Sequence, residues 1–259
     1  MAESSNMDQA KDEAAVGNRI LAELGLAAGV RGSLGHTSMR VPGEPGKFVV
    51  KGRGYRIDNL SRMRPEDMVV CDLEGNWLDG PPGSLQCSEV KIHSCIYKNR
   101  PDVLSVTHVH PDYTVLMSVF KKTLVPMAQE GVAMVQKPLP VYPRSKVVNS
   151  EEEGQAVAKL LAGGQAVLLF GHGAVTVGAS VEESVFGMVH LEHQARLNYL
   201  AYCAGGVDHP RIPDDLAEDI RQSHPEREPH LKARMEAGGS RRRGNALWHY
   251  YREVLSANM

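Results

Sequence analysis

The chain has 259 residues, with 29 lysines and arginines against 31 aspartates and glutamates and a net charge of -2. That balance excludes a basic nucleic-acid face and a polybasic membrane anchor, and leaves a small molecule as the expected partner. The length suits one large α/β domain with its own buried core. No apolar run is long enough to span a bilayer, and the polar start MAESSNMDQAKDEAA has no signal-peptide core, so a cytoplasmic enzyme is expected. Cys71, Cys87, Cys95 and Cys203 form no CxxC pair in a chain too large to need staples, and are expected as reduced thiols.

Residues 8–28 carry Ala, Leu and Ile at helical spacing and predict an amphipathic first helix closed by Gly29. The segments RGSLGHTSMRV, KFVVKGRGYRI and MVVCDLEGNWL predict short antiparallel strands, with Glu74-Gly75 as a hairpin tip. SEVKIHSCIYKNR fits a helix facing a core, with Ser88 as its N-cap. A strand over residues 103–109 leads to a helix in YTVLMSVF; VPMAQEGVAM has strand character, and EEEGQAVAKLLAG reads as a helix ended by Gly163. AVLLF is a continuous apolar run, expected as a buried strand ending at Gly171. A long helix follows from SVEESVFG, with Glu182 and Glu183 in its first turn. Residues 208–259 predict a mobile charged segment containing SRRRGN and a terminal helix, in which Trp248, His249, Tyr250 and Tyr251 form a docking face. Strands followed by helices make a single-domain α/β fold, an αβα sandwich around a mainly antiparallel sheet.

THVHPDY places His108 and His110 two positions apart, so in a strand both imidazoles leave the same face of the sheet. His172, in the turn GHGAV, has glycine on both sides, which permits close backbone approach. Three neutral imidazoles with an open or carboxylate-filled position, Glu89 being the candidate carboxylate, describe a catalytic metal site rather than a closed thiolate site.

SEVKIHSCIYKNRPDVLSVTHVHPDY and LLFGHGAVTVG, preceded by RGSLGHTSMR and PEDMVVCDLEGN, resemble the class II aldolase and adducin family over roughly residues 15–205. The resemblance implies that residues 1–207 form the family's αβα domain, with residues 208–259 an extension packing on it or on a neighbouring subunit, where the tail is either a docking face or a lid that excludes water from the neighbour's pocket. It also implies a homo-oligomer, a tetramer favoured, and one divalent metal per subunit (Zn, Mn, Fe or Co) held by His108, His110 and His172. Glu89 then stands beside the metal as a ligand or an acid/base. His93 is expected to pack and hydrogen-bond, and His190 and His193 to be structural or interfacial.

The departures from the family pattern concern the substrate. Sugar-phosphate aldolases of this family hold phosphate with a glycine-asparagine-x-serine loop, a threonine-or-serine-glycine turn and paired serines before the glutamate. This chain has Gly35-His36-Thr37-Ser38, Lys51-Gly52-Arg53-Gly54 and Cys87-Ser88 there. A planar carboxylate suits the fork of Arg53, with Lys51 as a second charge. Similarity to the branch lacking the phosphate cradle implies a decarboxylase of an ortho-hydroxy aromatic dicarboxylate such as a dihydroxyphthalate, acting in aromatic catabolism. In this reading Glu89 or His36 protonates the ring carbon, and Ser88 and Tyr113 touch substrate. The competing readings are an aldolase for a small hydroxy-aldehyde or keto acid, a non-haem Fe(II) oxygenase of the same fold, and an adducin-type scaffold, against which the retained histidines argue.

Overall fold

The computed structural model describes residues 5–54, 58–222 and 246–257. Helix α1 (Asn6–Glu23) starts with a capping box, Ser5 Oγ accepting from the Asp8 N–H and Asp8 accepting from the Ser5 N–H. It ends at Gly25 (φ +77°), four residues before the glycine expected from the sequence, because Leu26 and Ala27 N–H turn back to the Leu21 carbonyl. Strands β1 (His36–Arg40), β2 (Lys47–Arg53), β3 (Met68–Asp72), β4 (Trp77–Asp79) and β5 (Leu85–Gln86) precede helix α2 (Val90–Asn99). Strand β6 (Ser105–Val109), helices α3 (Asp112–Phe120) and α4 (Val132–Val135), strand β7 (Val141–Tyr142) and helix α5 (Glu151–Leu161) follow. Strands β8 (Ala166–Leu169) and β9 (Gly173–Gly178) then lead to helices α6 (Val181–Gly205), α7 (Asp214–Gln222) and α8 (Ala246–Ala257).

One sheet runs β4-β3-β2-β1-β6-β9-β8-β7, with β5 paired to β2. Its pairings are antiparallel except β7 with β8. Period-two alternation sorts adjacent residues into two cores. Val49, Val109 and Ala174 join α1 and α6 on one face, whereas Val50, Val106 and Val175 join α2 and α5 on the other. The fold is therefore the expected αβα sandwich with a mainly antiparallel sheet.

The strand expected in VPMAQEGVAM is instead an irregular segment ending in the single turn α4. Side chains of α6 supply the hydrogen bonds a sheet neighbour would give: Gln194 accepts from Met127 N–H and donates to the Ala128 and Glu130 carbonyls, and Asn198 accepts from Val125 N–H. Ser88 does not cap α2; Glu89 takes that place and makes no side-chain capping bond. Helix α8 lies on the domain, with Trp248 buried at 6.1 Å from the Phe186 ring and Arg252 paired with Asp12 and Glu13 of α1. The SRRRGN segment lies outside the described residues. No helix among the described residues is long and apolar enough to cross a membrane.

Candidate metal centre

Strand β6 is the central element of the site. Val106 and His108 face α2, whereas Thr107 and Val109 face α1 and α6, and His110 continues the His108 side just past the strand. The two rings lie 4.9 Å apart. The turn from β8 to β9 brings in His172, 5.1 Å from His108 and 4.5 Å from His110 between ring centroids. Glycine is required here: a Cβ at Gly173 would stand 2.3 Å from the Val109 carbonyl oxygen and 2.9 Å from His110 Cδ2. Glu89, at the start of α2, completes the group with Oε2 at 3.2 Å from His108 Nε2 and Oε1 at 3.5 Å from His172 Nε2. One donor atom from each of Glu89, His108, His110 and His172 lies within 4.8 Å of every other.

The protonation states suit a cation. His108 Nδ1 donates to the Ala174 carbonyl at 2.8 Å, which turns its Nε2 toward the group, 3.1 Å from His110 Nε2. Burial, with the neighbouring imidazoles, holds His110 at about 3 and His172 at about 4, so both are neutral near pH 7. Burial pushes the Glu89 carboxyl up, but His108, His172 and the Val148 N–H at 3.1 Å outweigh it and leave the group at about 2. Convergent imidazole nitrogens and an ionised carboxylate, largely shielded from water, fit a divalent metal. That donor set would hold the ion and leave coordination positions for substrate.

A family description, the class II aldolase and adducin N-terminal domain, matches residues 13–199. The chain belongs to the class II aldolase and adducin family. Among its relatives, a 3,4-dihydroxyphthalate decarboxylase of Arthrobacter keyseri is 29% identical over 218 residues, covering 81% of this chain and 85% of the relative. A second 3,4-dihydroxyphthalate decarboxylase, from Terrabacter sp. (strain DBF63), is 30% identical over 209 residues, covering 77% and 84%. In fold, the chain resembles an aldolase II superfamily protein from Pseudomonas syringae, with TM-score 0.75, 21% identity and 91% and 92% of the two chains covered.

In this class II aldolase and adducin fold a polar cleft opens beside the candidate metal group, lined by Gly35, His36, Arg53, Ser88, Glu89 and His110. His36 pairs with His108 across β1 and β6. Its Nε2 lies 3.9 Å from Glu89 Oε2, and its ring is 5.3 Å from His108. Gly35, at φ +117°, makes that approach possible, since a Cβ there would meet the His108 carbonyl at 2.8 Å. Ser88 Oγ accepts from the Arg53 guanidinium at 2.8 Å. Among the described residues no carboxylate pairs with Arg53.

Lys51 borders the same cleft, but its buried ammonium donates to the Ser33 carbonyl at 2.6 Å and to Asp58. Its charge is thus already met by a carboxylate of the same chain. The Tyr113 ring is not brought to the cleft within one chain; it lies 5.5 Å from Tyr199. The Glu192 carboxylate accepts from Tyr113 and Thr114 N–H at 2.9 and 2.8 Å, fixing the start of α3. Cys87 is buried, and burial pushes its thiol well up, so it is an inert side chain under Ser88.

Sequence reasoning missed Asp58, Arg31 and Glu192. Arg31 donates to the His110 carbonyl at 3.0 Å and grips Asp112 with both guanidinium nitrogens, which locks the turn after HVH. Arg31 stands 79 positions from His110 and Glu192 79 from Tyr113, so no local pattern announces them.

Proposed function

We propose that this chain is a lyase, a divalent-metal-dependent decarboxylase of an ortho-hydroxy aromatic dicarboxylate of the dihydroxyphthalate type. The observation that carries this reading is the Arg53 fork, steadied by Ser88 and with no carboxylate partner among the described residues, on the same small cleft as the metal group. A guanidinium matches a planar carboxylate through two parallel hydrogen bonds. The named activity of the two decarboxylase relatives supports the same chemistry.

A metal held by His108, His110 and His172, with Glu89 beside it, would supply Lewis-acid stabilisation of negative charge on the substrate's oxygen. Arg53 and Ser88 orient the carboxylate that is retained. Lys51, neutralised by Asp58, supports the loop under Arg53 and does not itself hold the substrate. Glu89, ionised at rest, takes the proton of the ortho-hydroxyl as substrate binds. Glu89 returns that proton to the ring carbon that bears the departing carboxylate, and the ring passes into its ketone form. The bond from this carbon to the carboxylate then breaks, carbon dioxide leaves, and the electron pair returns through the ring to the oxygen, restoring the aromatic system as its phenolate. His36 stands 3.9 Å from Glu89 and lines the same cleft.

We infer a cytoplasmic homo-oligomer, a tetramer by the family's habit. Exposed Leu116, Val119, Phe120 and Leu200, where α3 meets α6, support burial against another copy.

The test is a panel of dihydroxyphthalates, hydroxypyridine dicarboxylates and sugar phosphates, offered to metal-reconstituted protein with carbon dioxide release and oxygen uptake followed together. Carbon dioxide from an aromatic dicarboxylate without oxygen consumption is the expected result. Cleavage of a sugar phosphate with no aromatic acid turned over, or turnover that consumes oxygen, would overturn the reading.

A further inference from the structure

Behind His36 a buried file of side chains runs back through β1 to α2. Tyr97 Oη lies 2.7 Å from Ser38 Oγ, Ser38 Oγ lies 2.6 Å from His93 Nδ1, and His93 Nε2 lies 2.6 Å from His36 Nδ1. His36 Nε2 then faces the cleft. Tyr97, Ser38 and His93 are 2%, 0% and 0% exposed, so their hydrogens must be shared among protein partners. We propose that Tyr97, Ser38 and His93 are positioning residues that hold His36 in one neutral tautomer, with hydrogen on Nε2, as a hydrogen-bond donor to an anionic substrate oxygen.

The direction follows from counting hydrogens. Each hydroxyl and each neutral imidazole has one to give. If Tyr97 donates to Ser38, Ser38 to His93 Nδ1, and His93 Nε2 to His36 Nδ1, each hydrogen in the file occupies a bond of 2.6 or 2.7 Å. The hydrogen of His36 is then on Nε2, facing the ionised Glu89. In the reverse order Tyr97 has only the Leu104 carbonyl at 3.5 Å for its hydrogen if Ser38 donates to Tyr97. If Ser38 donates instead to Val106, that bond is 3.4 Å. Both distances are at the limit of a hydrogen bond, and the reverse order also sets a lone pair on His36 Nε2 opposite a carboxylate.

The file does not conduct a proton. Burial drives the Tyr97 phenol up and keeps its hydrogen in place, and burial holds His93 at about 3, so the file stays uncharged from Tyr97 to His93. Handing a proton from His36 to substrate and refilling it along the file would leave a buried phenolate at Tyr97. His36 therefore binds and polarises an oxygen while Glu89 moves the proton. Cys87 Sγ lies within 4.8 Å of ring nitrogens of His36 and His93, but both His93 nitrogens already have partners, so this cluster is a hydrogen-bond device and not a second metal site.

The proposal rests on the proposed function only in taking the acceptor as a substrate oxygen; the tautomer is measured without substrate. Long-range proton-nitrogen correlation spectra of histidine-labelled, Zn(II)-loaded protein are expected to show His36 and His93 both protonated at Nε2 and bare at Nδ1. Ser38→Ala and Tyr97→Phe are expected to shift both rings to mixed tautomers while bound Zn stays at one per chain. His36 protonated at Nδ1 in the parent protein would overturn the proposal, as would unmixed Nε2–H signals in both variants. If Ser38→Ala does not fold, the parent protein and Tyr97→Phe decide. Absence of decarboxylation would sink the proposed reaction and leave these spectra unchanged.

Discussion

Lys51 and Arg53 leave β2 two residues apart and are used in opposite ways: the Lys51 ammonium is buried against Asp58 and the Ser33 carbonyl, whereas the Arg53 guanidinium rests on the hydroxyl of Ser88. One cation supports the fold and the other is available to a ligand.

Substitutions at these positions separate the two roles. Arg53→Lys is expected to keep fold and metal content and to lower kcat/KM for the proposed dicarboxylate by about ten- to a hundredfold, since a charge-assisted hydrogen bond contributes about 1.5–3 kcal/mol. Asp58→Ala is expected to destabilise the chain by about 2 kcal/mol, less than the about 3–5 kcal/mol of a fully buried pair because Asp58 is partly exposed. Chemical denaturation read beside steady-state kinetics checks both; an Arg53→Lys enzyme with unchanged kcat/KM would remove Arg53 from substrate binding.

Metal binding is expected to depend on the HVH turn. His110→Ala should weaken Zn(II) by more than about a hundredfold, the upper range for groups that only support a ligand. Gly173→Ala should have a similar effect without deleting a donor, because its Cβ would stand 2.9 Å from His110 Cδ2. Metal analysis after dialysis against a weak chelator measures both; stoichiometric metal in His110→Ala would contradict the assigned donor set.

The metal-free protein is expected to lose stability on acidification. His36 is held well below 6.5, His93 and His110 at about 3 and His172 at about 4, all chiefly by burial. Below pH 6.5 the unfolded chain therefore binds more protons than the native one, and stability falls as pH drops toward 3–4. Glu89 acts in the same direction at lower pH, its contribution being present above the ordinary carboxylate value and lost as pH falls toward about 2. Thermal melts from neutral pH down to about pH 5 check this, the range in which an unperturbed imidazole becomes charged. A flat Tm across that range would show that the imidazoles are not buried as neutral groups.

Glu192→Ala is expected to cost about 1–2 kcal/mol, the usual range for a lost helix cap, because Tyr113 and Thr114 N–H at the start of α3 lose their acceptor. Tm should fall by several degrees. Because α3 follows HVHP directly, a weaker grip on Zn(II) should accompany the fall, and unchanged affinity would uncouple this cap from the site.

The residues of the candidate metal group were readable from the chain because each signal is local. HVH on a strand uses period-two alternation, GHG uses two glycines around a histidine, and Glu89 opens a helix whose apolar spacing is evident. Where local signals failed, a distant group had taken over a backbone need. Gln194 and Asn198 of α6 satisfy the 125–130 segment in place of a sheet neighbour. Ser88, shaped like an N-cap, accepts from Arg53 instead.

The sequence by itself determined the order of elements, the two-faced sheet and the residue types that meet at the site, since periodicity and backbone preference act over a few residues. Only the tertiary structure decided which cation is free, which way the His36 imidazole is held and where the Tyr113 ring goes. Those outcomes depend on contacts such as Lys51 with Asp58, His36 with His93 and Tyr113 with Tyr199. A side chain's charge and proton become chemically available only after the folded neighbours have made their own claims on them.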